Sequence, residues 1–117
     1  MTKDYAEIHR QLEGLMGQLA AETPEVMDGF AKLHEASTED GALDKKTKEL
    51  IALAIGITVR CDGCIAYHVH DAVSAGASRQ ELIETIGVAV MMGGGPSVVY
   101  GCEALQAVDQ LQPAGAR

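Results

Sequence analysis

Tryptophan is absent from this 117-residue sequence, phenylalanine occurs once and tyrosine three times. An interior must therefore be built from Ala, Leu, Ile, Val and Met, a set that suits closely packed helices. Cysteine is also scarce, and three unevenly spaced residues exclude a disulfide framework. Positive charge is in short supply: nine Lys and Arg stand against seventeen Asp and Glu, for a net charge of -8. Nucleic acids and anionic membranes, themselves negative, are excluded as expected partners. No apolar run approaches the roughly 20 residues that span a bilayer. The opening Met1-Thr2-Lys3-Asp4-Tyr5 lacks the apolar stretch of a secretory signal. The expected compartment is the cytoplasm, and the expected organisation is one domain over residues 1–117 with no cofactor.

What is present is helical periodicity. Ile8, Leu12, Leu15 and Leu19 mark one face of a helix beginning near Asp4. Thr23-Pro24 reads as an N-cap followed by Pro at the first helical position, and Val26, Phe30 and Leu33 continue a second stripe. Residues 36–41 are polar and turn-rich, the pattern of a surface loop. From Asp44 the chain enters Leu50-Ile51-Ala52-Leu53-Ala54-Ile55-Gly56-Ile57, apolar on every side, which predicts a helix buried all round by other helices or another subunit. Thr58-Val59-Arg60 is expected to break it. A helix from about Cys61 should close at Gly76. Ser78 and Glu81 have the spacing of a capping box for a helix from Arg79 to about Met92. Gly93-Gly94-Gly95-Pro96 interrupts the chain before a last helix ending near Leu111, and the tail from Gln112 to Arg117 is expected to fray. No alternating strands occur, so the expected class is all-α with about six helices, part of whose apolar surface is covered in a homo-oligomer.

The chemistry concentrates in Cys61-Asp62-Gly63-Cys64-Ile65-Ala66-Tyr67-His68, with Glu49 twelve residues before Cys61. Cysteines three apart at a helix start can form a disulfide. The helix N-terminus favours their thiolates through unpaired N-H groups and positive potential. His68 lies four residues after Cys64, one turn along the same face, where an imidazole takes the thiol proton or stabilises the thiolate. Cys64 is thus the expected peroxide-attacking nucleophile. Cys61 is the expected resolving partner, condensing with the sulfenic acid before it oxidises further. Glu49, folded against this helix, would orient His68 and relay a proton. Tyr67 and His70 are nearby supporting candidates, with packing and solvent exposure as their plain alternatives.

Glu, eleven residues, Cys-x-x-Cys, three residues, then His resembles the active-site signature of alkylhydroperoxidase D-like proteins in the carboxymuconolactone decarboxylase superfamily. The resemblance covers residues 44–92. It implies an all-helical fold assembling into trimers or hexamers. Glu49, Cys61, Cys64 and His68 would take the proton-relay, resolving, peroxidatic and base positions. It also implies a hydroperoxide substrate and an external protein dithiol as reductant. One position departs: the alkylhydroperoxidase D branch carries a His just before the second cysteine, where this chain has Gly63, so that proton donor is missing.

The expected activity is an antioxidant thiol peroxidase, a peroxiredoxin-like oxidoreductase with alkyl hydroperoxide reductase activity. A lyase acting on a carboxylated lactone is the alternative carried by the superfamily's name, and it has no need of a dithiol. A dithiol-disulfide reductase without peroxidase activity is another. A zinc-binding oligomeric module would draw on Cys61, Cys64, His68 and one of His70 or Cys102, but the usual second Cys-x-x-Cys or His-x-x-x-His is absent. No metal is expected. Cys102 sits in an apolar stripe and reads as core, the five Met as core filler, and His9 and His34 as solvated. The glycine run lacks the Lys-Ser or Lys-Thr of a phosphate loop.

Overall fold

The computed structural model describes residues 3–112, which form six α-helices: α1 (Tyr5–Glu22), α2 (Pro24–Thr38), α3 (Lys45–Thr58), α4 (Asp62–Ser74), α5 (Arg79–Gly93) and α6 (Gly95–Leu111). Their ends follow local chemistry. The carboxylates of Asp4 and Asp44 accept the backbone N-H of Glu7 and Thr47, satisfying donors that the first turn leaves unpaired. Ser78 and Glu81 form the expected capping box at α5. Glu81 also pairs with Lys46 at 2.9 Å, joining the starts of α3 and α5. Gly76 and Gly94 take positive φ at the two corners that flank α5.

Helix α3 lies against α4 and α5, and α6 closes the other side of α4 and α5. Leu53, Ile57, Ile65, Val69, Leu82 and Val108 are fully buried between them, together with the small residues Ala66, Ala72 and Ala104. At roughly 25 cal/mol per Å² of apolar surface removed from water, this aliphatic core is the main stabilising term. Gly56 sets the spacing of α3 on α4: a Cβ there would sit 3.1 Å from the Cβ of Cys64.

Several expectations are corrected. Helix α2 runs on to Thr38, so the loop begins at Glu39 rather than residue 36. Thr23 makes no side-chain cap, because it closes α1 through its backbone N-H to Leu19 while α2 starts at Pro24. Helix α3 is apolar but not buried all round within the chain, since Ile51 and Ile55 are exposed. Helix α2 has no buried residue, and Val26, Phe30 and Leu33 of its stripe face outward with Leu15 and Leu19 of α1. Met91 and Met92 are exposed rather than core filler. Of the tail, Gln112 is buried and its side-chain amide donates to the Ala77 carbonyl at 3.4 Å. The remaining residues expected to fray, 113–117, lie outside the described residues. Among the described residues, no helix is long and apolar enough to cross a membrane.

Candidate functional site

The turn from α3 to α4 takes three residues. It is closed by the Arg60 N-H to Ile57 and the Cys61 N-H to Gly56, with Arg60 at φ 59°. This turn delivers Cys61 to the N-cap of α4 and folds the helix carrying Glu49 back along the helix carrying His68. Cys61 and Cys64 are joined as a disulfide, with Cα atoms 5.2 Å apart. Both cysteines are half-buried. The Cys61 sulfur also acts as the cap, accepting the Cys64 backbone N-H at 3.1 Å. A sulfur in that position gains as a thiolate from the hydrogen bond and from the helix dipole.

Glu49 has no exposed surface, and its Oε2 lies 2.8 Å from Nδ1 of His68, whose side chain is one-fifth exposed. A carboxylate in so apolar a helix needs such a partner. With Nδ1 engaged, Nε2 is the nitrogen left to exchange a proton with a reacting group. The other carboxylate oxygen of Glu49, Oε1, is buried without a hydrogen-bond partner among the described residues. Of the four residues singled out from spacing, Glu49 thus meets His68 and Cys61 is bonded to Cys64, and α4 carries His68 of the first pair and Cys64 of the second.

Tyr67 and His70 are placed differently. Both rings pack against His9 of α1, with ring centres 4.4 Å and 4.1 Å away, and His70 Nδ1 lies 3.0 Å from Asp71 Oδ1. Burial, then the charges of Glu13 and Asp71, hold the Tyr67 phenol above its ordinary pKa. His9, expected on the surface, is buried in this stack because α1 lies on α4. Cys102, expected in the core, is exposed. It lines an apolar groove between α5 and α6.

Other residues reach the site from far along the chain. Asp62, between the two cysteines, is held by the Lys3 ammonium at 2.9 Å and the Tyr5 hydroxyl at 3.0 Å. Lys3 and Tyr5 also approach Glu103 of α6, at 2.7 Å and 3.4 Å. Burial opposes the charge on Asp62, but the hydrogen bonds from Lys3 and Tyr5 outweigh it and hold the carboxyl below its usual range. Burial first, and then the Asp62 carboxylate, push the Tyr5 phenol well up. Hydrogen bonds to Glu103 and Asp62 push the Lys3 ammonium up as well. The departure at Gly63 has a steric setting: a Cβ there would fall 2.7 Å from Cδ1 of Leu12, so α1 occupies the space beside the dithiol. No local pattern pointed to Lys3, Tyr5, Leu12 or Glu103, each at least 35 residues from the motif.

The same arrangement of helices occurs in solved structures. A carboxymuconolactone decarboxylase family protein from Legionella pneumophila, in its apo form, is 46% identical with a TM-score of 0.90, covering 93% of this chain and 97% of that one. A Thermotoga maritima protein of the same family, described with a suggested part in an antioxidative response, is 31% identical with a TM-score of 0.77, covering 93% and 90%. An uncharacterised protein of Cupriavidus necator is 38% identical over 105 residues, 90% of this chain and 89% of its own length. The sequence pattern of the carboxymuconolactone decarboxylase family matches residues 24–107, and the chain belongs to that family.

Proposed function

We propose that the protein is a thiol peroxidase working through a Cys61-Cys64 dithiol/disulfide cycle. The observation that carries this reading is the fully buried Glu49 carboxylate on His68, at 2.8 Å, one helical turn from a cysteine already joined to its partner. His68 takes the Cys64 thiol proton. The thiolate attacks one oxygen of a hydroperoxide, the O-O bond breaks, and the alkoxide leaves as an alcohol with that proton. Cys64 is then a sulfenic acid. Cys61, whose sulfur is favoured as a thiolate by the Cys64 N-H, attacks the Cys64 sulfur. Hydroxide leaves with the former Cys61 proton as water, and the disulfide forms. Two electrons and two protons from an external protein dithiol restore the pair.

The suggested antioxidative part of the Thermotoga relative supports the same reading. The apolar residues left outward on α2 and α3 support a homo-oligomer, a trimer or hexamer, whose count light scattering reads directly. Thiol titration tests the chemistry. One equivalent of hydroperoxide should consume two thiols of the reduced protein and yield a Cys61-Cys64 link by mass spectrometry, and Cys64→Ser should abolish this. Unchanged thiols in the wild type, together with turnover of a carboxylated lactone, would replace the reading with the lyase activity.

A further inference from the structure

The Glu49 carboxylate that holds His68 also belongs to a second set of donors, whose other members the peroxide chemistry does not use. His34 of α2, Glu49 of α3 and Asp71 of α4 each bring one ligand-type atom within 4.8 Å of the other two. His34 and Asp71 line a cavity of about 180 Å³, with Lys45, Ser74 and Ala75 completing the wall. Three exposed polar groups at that spacing would be unremarkable on a helical surface. Here one of the three is a fully buried carboxylate whose Oε1 has no hydrogen-bond partner among the described residues. An anionic oxygen withheld from water and unpaired is costly and calls for a donor or a cation.

We propose that His34, Glu49 and Asp71 form a binding site for a divalent transition-metal cation of the zinc class. The donor set points there: one imidazole and two carboxylates are ligands zinc accepts in a four-coordinate site whose last position is water. Calcium, which prefers six to eight oxygens, is poorly served. The spacing is compatible as well. Three atoms no more than 4.8 Å apart all lie within roughly 2.8 Å of some common point, and zinc bonds of about 2.0–2.2 Å need only modest closure, which exposed His34 can supply. Glu49 would then bridge, offering the cation one oxygen while Oε2 keeps His68. A ligand carboxylate that is itself hydrogen-bonded is the usual outer-shell arrangement of such sites.

The site is tested on the protein in its disulfide form, where Cys61 and Cys64 offer no thiolates and no peroxide turnover is needed, so the result is independent of the peroxidase reading. Calorimetric titration with zinc chloride should give one ion per chain. His34→Ala and Asp71→Asn, both at positions not fully buried, should each weaken binding at least about tenfold, and excess calcium chloride should not displace the ion. Absence of zinc binding would overturn the proposal. So would binding that both variants leave unchanged, which would place the ion elsewhere, for instance on the His9-His70 stack. Displacement by calcium would overturn the zinc-class assignment.

Discussion

Oε2 of Glu49 and Nδ1 of His68 meet at 2.8 Å across the contact between α3 and α4, and the glutamate has no exposed surface. The imidazole is therefore held from one side by a group that water does not screen. Glu49→Gln keeps the shape and a hydrogen bond but removes the charge that stabilises an imidazolium. The reaction of the reduced protein with hydroperoxide should slow by about 10²-fold, the usual scale of general acid-base assistance. Stopped-flow thiol loss measures this, with circular dichroism as the check on folding. An unchanged rate would make the pair structural rather than chemical.

Gly63 is the position where family resemblance and packing meet. Its missing Cβ would lie 2.7 Å from Cδ1 of Leu12, the far end of a flexible side chain, so Gly63→Ala should be tolerated at a cost of about 1 kcal/mol as Leu12 moves aside. Against Leu12→Ala the same change should become neutral or stabilising, because alanine is the better helix former by about 0.8–1 kcal/mol. Urea unfolding of the four proteins gives the coupling directly. Additive effects would show that Leu12 is not what keeps the position bare.

The Lys3-Tyr5-Asp62-Glu103 cluster predicts how stability changes with pH. The Asp62 carboxyl lies below its ordinary value in the folded chain. Its contribution is therefore complete above the unfolded value of about 3.9 and is lost as pH falls through the folded one. Lys3 and Tyr5 are shifted upward. Their contributions are complete below about pH 10 and are lost as pH rises beyond it. Asp62 is about one-third exposed, so solvent screening keeps its share small. Urea midpoints should fall at both extremes, and Asp62→Asn should flatten the acid limb relative to wild type while other carboxylates still titrate. Parallel acid limbs would remove Asp62 from the account.

Much of this protein is determined within single helices. Asp4, Asp44, Ser78 with Glu81, and Gly76 are local signals, and the helix boundaries follow them to within two or three residues. Cys61 at the N-cap of α4 and Cys64 and His68 in its first two turns follow the 3.6-residue period, which alone places them on one face. The pairing of Glu49 with His68 was legible only as a spacing shared with a family.

The remaining features depend on how helices cross, which no window of sequence contains. Tyr5 reaches Asp62 across 57 residues, and Leu12 covers Gly63 because α1 lies along α4. His9 is buried by that same contact, although its own helix alone would leave it on the polar side. Cys102 and the stripes of α2 carry the periodicity of a buried face yet stand exposed. Apolar period specifies which side of a helix avoids water, whereas the partner that covers it is chosen by the packing of side chains between helices, in this chain or in another copy of it.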